Sequence, residues 1–176
     1  MRRFLLVDDE VAILNSLQRA IRRMPGGDNI EFELFSNPLD AINRCGLAQF
    51  DLVISDYRMP QMVGVDFLRI VKEMQPNTTR MLLSASTEFE TIMSAVNEAQ
   101  VFKYLVKPWV NSELQEQIQL ALEHHDKLVE DQLLANSKRQ ELHPLTSEEK
   151  EIILLEAEEP GITKVNWGPD GSVILD

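Results

Sequence analysis

Three aspartates, a serine and a lysine each close a short apolar run. Phe4-Leu5-Leu6-Val7 ends on Asp8-Asp9-Glu10, Leu52-Val53-Ile54 on Ser55-Asp56, Met81-Leu82-Leu83 on Ser84, and Phe102 to Val106 on Lys107-Pro108. If these runs are neighbouring strands, three carboxylates meet at one rim. At a separation of ~4 Å and an effective dielectric of ~20, each like-charged pair there costs about 4 kcal/mol. A hard, oxygen-loving dication relieves that repulsion, and Mg²⁺ is the usual choice where phosphate shares the site. Asp56 can then stay ionised and act as a nucleophile toward phosphorus. Lys107 supplies a fixed positive charge and the Ser84 hydroxyl a hydrogen bond to a phosphoryl oxygen, so that catalysis is positioning and charge neutralisation.

Each residue alone has a plainer reading. An aspartate after a strand is usually a helix N-cap, a lysine before proline is usually solvated, and a serine after a strand is a loop hydroxyl. Their recurrence at four strand ends is what favours a common site.

The elements that must position them follow from the apolar pattern. Val11 to Arg23 repeats apolar residues at Ile13, Leu14, Leu17, Ala20 and Ile21, an amphipathic helix stopped by Pro25-Gly26-Gly27. Glu31 to Phe35 alternates as a strand, and Asn37-Pro38 opens a second helix. Val65 to Met74 and Glu88 to Ala99 read as helices, and Asn111-Ser112 caps a last one. Five strand-then-helix units predict an α/β fold, a five-stranded parallel sheet wound with helices on both faces. Ligands in such sheets bind beyond the carboxyl ends of the strands.

The segments LLVDDE, VISDYRMP, LLSAS and YLVKPW, in this order and spacing, closely resemble the receiver domains of two-component response regulators, over about residues 2–125. The resemblance implies the flavodoxin-like receiver fold and phosphorylation of Asp56 by a sensor histidine kinase or phosphotransfer protein. It further implies that Asp9, the Asp56 carboxylate and the Arg58 carbonyl bind Mg²⁺, with Asp8 helping directly or through water. Lys107 matches the phosphate-binding lysine, with a cis Lys107–Pro108 peptide, and Gly64 the loop glycine. Ser84 matches the switch hydroxyl, serine replacing the commoner threonine, and Tyr104 the switch aromatic. Arg58 and Ser86 fall where side chains flank the phosphoryl group. The wording around YLVKPW is most similar to receivers that precede HD-type cyclic-dinucleotide phosphodiesterase domains, and no such domain is read in this sequence.

Composition and charge set the remaining expectations. With 44% hydrophobic and 26% charged residues the chain is of globular type, and no apolar run approaches the ~20 residues that would cross a bilayer. Asp8 interrupts the apolar stretch after Met1-Arg2-Arg3 too early for a signal peptide. The lone Cys45 excludes an internal disulfide, pointing to packing and to the cytoplasm. Residues 1–125 carry net charge −5 and residues 126–176 net −7. That acidic tail argues against nucleic-acid binding.

The organisation expected is therefore a receiver over 1–125, a helical linker over 126–143 and a tail over 144–176. The last helix runs to about Leu142 with a seam at Leu114, Ile118, Ala121, Leu122, His125, Leu128 and Val129. This seam suggests a homodimeric coiled coil, the alternative being a solvated helix folded back on the receiver. His124 and His125 read as solvated. Beyond Pro144, Thr146-Ser147-Glu148-Glu149 caps a short helix, and Gly168-Pro169-Asp170-Gly171 joins two strands as a hairpin, with Trp167 as an anchor. The function expected is phosphoryl-dependent protein–protein output, with no enzymatic activity beyond self-phosphorylation and autodephosphorylation. An Asp-nucleophile phosphohydrolase is disfavoured because Arg58 stands where such enzymes carry a second carboxylate. A DNA-binding regulator is disfavoured by the charge of the tail, and a receiver acting without phosphate by the complete Asp, Ser and Lys set.

Overall fold

The computed structural model of the chain describes residues 1–85, 99–142, 166–167 and 173–174, with side chains over 1–85 and 99–138. The apolar runs form strands β1 (Arg2–Val7), β2 (Ile30–Phe35), β3 (Leu52–Asp56), β4 (Thr79–Ser84) and β5 (Lys103–Val106). All pair in parallel in the order β2-β1-β3-β4-β5. This is the flavodoxin-like, doubly wound order, whose switch point lies between β1 and β3.

Helices α1 (Val11–Arg22), α2 (Pro38–Cys45), α3 (Gly64–Met74) and α4 (Asn111–Leu142), with a short 3-10 turn at Gly27–Asn29, complete the described elements up to residue 142. At the start of α2 the Asn37 side chain accepts from Leu39 N at 3.0 Å, and proline takes the first turn. Strand alternation sends successive side chains to opposite faces of the sheet. Phe4, Leu6, Ile54 and Leu83 pack with Leu14, Leu17 and Ile21 of α1 and with Leu114, Ile118 and Ala121 of α4. On the other face Leu5, Val7, Val53 and Leu82 pack with Ala41 and Cys45 of α2 and with Phe67, Leu68 and Val71 of α3. Burial pushes the Cys45 thiol up to about 11, as suits a packing residue.

A buried amide ties the second layer to the loops. Gln75 Nε2 donates to the carbonyls of Cys45 and Ala48, each at 2.7 Å, while its Oε1 accepts from Phe50 N at 3.0 Å. The Thr78 hydroxyl lies 2.7 Å from Phe50 O and 2.9 Å from Gln75 Oε1. One side chain thus satisfies three main-chain groups at the end of α2 and in its connection to β3.

The seam of the last helix meets the chain's own core. Leu114, Ile118, Ala121 and His125 are buried, which withdraws that stretch from a partner helix and corrects the coiled-coil reading up to His125. From Glu130 to Lys138 every side chain is exposed, including Leu133 at 62% and Leu134 at 53%. Among the described residues no helix is long and apolar enough to cross a membrane.

By compactness the chain divides into Met1–Glu130 and Asp131–Asp176. In the second unit β6 (Asn166–Trp167) pairs antiparallel with β7 (Val173–Ile174). The expected helices over 88–99 (apart from Ala99) and 147–157, together with Ser86 and the Trp167 side chain, lie outside the described residues.

Candidate functional site

The parallel sheet brings the ends of β1, β3, β4 and β5 to one rim, and each end is fixed by its own hydrogen bonds. Asp8 N extends the ladder to Phe35 O at 3.2 Å, and its Oδ1 accepts from Glu10 N at 2.9 Å, which sets the turn into α1. Asp56, the last residue of β3, accepts at Oδ2 from Arg58 N at 2.8 Å. Lys107 N donates to Ser84 O at 2.8 Å, joining the ends of β4 and β5. The Lys107–Pro108 peptide is cis.

Gly64 fixes the approach of the β3 end to α3. Its N–H donates to Tyr57 O at 2.8 Å. A Cβ at this position would collide with the main-chain carbonyl of Asp56 and press on Leu82, so only glycine lets α3 start this close to the aspartate.

At the centre, Lys107 Nζ lies 2.5 Å from Asp56 Oδ1 and 2.6 Å from Asp8 Oδ2. Asp8 and Asp56 are 1% and 6% exposed, so both carboxylates are held out of bulk water by the fold and share one ammonium. Burial pushes the Asp8 carboxyl above its ordinary value; the Lys107 ammonium and Glu10 N–H oppose this without cancelling it. Burial acts to lower Lys107, but its bonds to Asp56 and Asp8 outweigh that and hold it above its ordinary value. The lysine is therefore charged at any neutral pH.

A cavity of about 420 Å³ opens over this pair, lined by Asp9, Glu10, Asp56, Arg58, Ser84, Ala85 and Lys107. The structure thus gathers Asp8, Asp9, Asp56, Arg58, Ser84 and Lys107 at one rim. Glu10 joins them; it stands inside the LLVDDE segment but had no assigned role. Four carboxylates face two cationic side chains here, an acidic surplus that favours a further cation. The oxygens of Asp9 and Asp56 are of the kind Mg²⁺ takes. Among the described residues no three acidic, histidine or cysteine groups form a ready-made ion site, because Lys107 engages Asp8 and Asp56; Asp9 and the remaining oxygen atoms of the rim are what a cation would draw on.

Tyr104 lies apart from this cluster. Its ring packs against the face that carries Leu82 and Ala99, and its hydroxyl is buried with no hydrogen-bond partner among the described residues. Burying a hydroxyl in that way costs about 1–3 kcal/mol.

The histidines differ from expectation. His124 packs against Phe102 with ring centroids 4.7 Å apart and the rings tilted by 37°. His125 is buried, with Nε2 3.2 Å from Asp51 Oδ1 and Nδ1 3.0 Å from Asn77 O. A polar residue at an apolar seam position was the available signal.

Comparison with known proteins agrees with this geometry. The family model described as response regulator receiver domain matches residues 4–119. The chain is 34% identical over 119 residues to the hydrogenase transcriptional regulatory protein HoxA of Bradyrhizobium diazoefficiens, covering 68% of this chain and 24% of the relative. It is 32% identical over 104 residues to the cyclic di-GMP phosphodiesterase response regulator RpfG of Xanthomonas campestris pv. campestris, covering 58% of this chain and 27% of the relative. The chain therefore spans about a quarter of the length of these curated relatives. Among solved structures, the signal receiver domain of an HD domain-containing protein from Pseudomonas fluorescens Pf-5 superimposes with a TM-score of 0.66 at 32% identity, over 72% of this chain and 98% of that one.

Proposed function

The chain belongs to the response regulator receiver domain family of two-component signalling, and on that premise we propose that Asp56 is its phosphoacceptor. The observation that carries the reading is the Lys107 ammonium, 2.5 Å from Asp56 and 2.6 Å from Asp8. It holds a nucleophilic carboxylate and a fixed positive charge in one partly dry pocket.

In the proposed reaction an Asp56 carboxylate oxygen attacks the phosphorus of a phosphohistidine on a sensor kinase or phosphotransfer protein. The P–N bond breaks, and the leaving imidazole takes a proton from solvent. Lys107 neutralises charge on the phosphoryl oxygens, and the Ser84 hydroxyl hydrogen-bonds one of them. Asp9, Asp56 and the Arg58 carbonyl, with Asp8, would hold Mg²⁺, which supplies charge neutralisation at the transferring group. Later attack of water on the phosphorus of the acyl phosphate breaks its bond to Asp56, releases inorganic phosphate and returns the carboxylate, so self-phosphorylation and autodephosphorylation are the only chemistry assigned.

The product is a change of shape. A phosphoryl group brings about −1.5 to −2 charges and three acceptor oxygens. Ser84 moves to it and the Tyr104 ring repacks; its hydroxyl, buried without a hydrogen-bond partner among the described residues, supports a ring that can shift. Taking such an element from mostly off to mostly on needs about 5.5 kcal/mol of differential stabilisation. Output is assigned to protein–protein contact or self-association through the region beyond residue 125, with the receiver ending there, a helical linker to 143 and a tail to 176. The charge of that region, net −7 over 126–176, favours a protein partner over nucleic acid. The free, buried Cys45 suits a cytoplasmic setting.

The test is incubation of the full chain with Mg²⁺ and acetyl phosphate, followed by intact mass and light scattering. One phosphoryl adduct is expected, absent in Asp56→Asn, together with a change in mass distribution. Mg²⁺ binding followed by calorimetry is expected to weaken in Asp9→Asn. No adduct on the native chain, or one that persists in Asp56→Asn, overturns the assignment.

A further inference from the structure

At the opposite end of the sheet from Asp56 lies a second cluster of charges, and the phosphoryl chemistry makes no use of it. Arg2 at the start of β1 donates through Nη1 to Asp51 Oδ1 at 2.9 Å, and through Nη2 to both Asp126 oxygens at 2.6 and 2.7 Å. Asp51 Oδ2 accepts from Arg3 N at 2.7 Å. His125 completes the cluster from α4, and a cavity of about 230 Å³ lined by Asp51, Asn77, Thr78, His125 and Val129 opens beside it.

Both nitrogens of the His125 ring face groups that only accept. Nδ1 is 3.0 Å from the Asn77 carbonyl, and Nε2 is 3.2 Å from Asp51 Oδ1. Asp51 takes an arginine and a main-chain N–H besides, so it is the ionised carboxylate. A neutral imidazole has one N–H and one lone pair. In this geometry the neutral ring must set its lone pair against either a carbonyl or a carboxylate, whereas the imidazolium satisfies both.

We propose that His125 is a protonation-dependent latch that fastens helix α4 to the amino end of the sheet. It stands at the end of the buried seam of α4, four residues beyond Ala121, and side chains are exposed from Glu130 to Lys138. The latch therefore governs how far along α4 the helix is held to the receiver. The charged groups around the ring are Asp51, which favours its proton, and Arg2, which opposes it, from the sheet side. On α4 itself they are Asp126, which is engaged by Arg2, and the neighbouring His124. The turn that supplies Asn77 contributes only its carbonyl.

Because Asp51 bonds to it, with burial opposing, His125 titrates above its ordinary value of 6.5. The latch is then fully closed below that ordinary value and opens as pH rises through the folded one.

The test follows α4 amide exchange in the full chain between pH 5.5 and 8.5, corrected for the intrinsic rate, alongside a ring-proton NMR titration of all three histidines. The wild type is expected to lose protection from about His125 onward as pH rises, by about tenfold for each pH unit between the ordinary and the folded pKa. His125→Gln is expected to give a flat profile, and His124→Gln one that follows the wild type. Flat wild-type protection, the same pH dependence in His125→Gln, or a His125 resonance titrating at or below the ordinary histidine value overturns the proposal. The last readout needs only the wild-type chain, so it decides even if the variants fail to fold.

Discussion

Lys107 and Asp56 meet with Nζ 2.5 Å from Oδ1, and the same ammonium holds Asp8 at 2.6 Å. Two carboxylates that would repel each other are thus shared by one cation, which is the charge the proposed phosphoryl transfer calls for. The arrangement depends on parallel strands ending level, because Lys107 follows β5 while Asp56 closes β3 and Asp8 follows β1.

Removing that cation is the first test. Lys107→Met keeps an unbranched stem without the ammonium and leaves Asp8 and Asp56 facing each other without a shared partner. Phosphorylation from acetyl phosphate is expected to slow by roughly 10²-fold, the scale of losing one positioned charge at a reacting oxygen. Intact-mass time courses measure it. A rate within threefold of the native chain would mean that Lys107 holds the carboxylates without assisting transfer.

Gly64→Ala tests the approach of α3 to β3. The added methyl collides with the Asp56 carbonyl, which is backbone and cannot swing aside. Destabilisation of about 2–4 kcal/mol is expected in urea titration, with phosphorylation impaired because the carboxylate moves with its main chain. A variant as stable as the native chain would show that the β3–α3 loop has room the structure does not indicate.

Gln75→Leu tests the buried amide. The substitution preserves bulk but leaves the Phe50 N–H and the carbonyls of Cys45 and Ala48 without this partner. At about 1–3 kcal/mol for each stranded group, a loss of at least about 3 kcal/mol is expected. The urea midpoint should fall with the slope unchanged.

Gln75 also marks where reading the sequence reached its end. Phe4 to Val7 or Leu52 to Ile54 announce buried strands through their own neighbours, and the candidate site residues were legible because each ends such a run. The partners of Gln75 are 25 to 30 residues away, and no local pattern encodes them. The α4 seam failed differently. A repeat at Leu114, Ile118 and Ala121 shows that one helix face is apolar, but not whether a partner helix or the chain's own sheet covers it. The sheet covers it, and His125 is buried there because Asp51 and the Asn77 carbonyl meet its two ring nitrogens on that side.

The same cluster sets the acid limb of stability. Burial acts to raise Asp51, yet His125, the Arg3 N–H and Arg2 together hold its carboxyl well below the usual carboxylate range. A depressed folded pKa contributes stability that is present above the ordinary value near 3.8 and is lost as pH falls through the folded one. Asp51→Asn is expected to flatten the urea-midpoint profile below about pH 4. It should also bring the His125 titration down toward its ordinary value, read from the ring-proton shifts. An unchanged His125 titration would show that Asn77 alone supports the imidazolium.

Tyr104→Phe tests the cost of the buried hydroxyl apart from the switch role proposed for the ring. The hydroxyl is buried and without a partner among the described residues, so deleting it removes a desolvation cost and almost no contact area. The unphosphorylated variant is expected to be more stable by about 1 kcal/mol, within the range for relieving one unsatisfied hydroxyl, seen as a higher urea midpoint at unchanged slope. The adduct on Asp56 should still form, because Tyr104 lies outside the pocket that holds Asp56 and Lys107. A fall in stability would instead show that the hydroxyl has a bonding partner, such as an ordered water, and that the ring is anchored in its resting place.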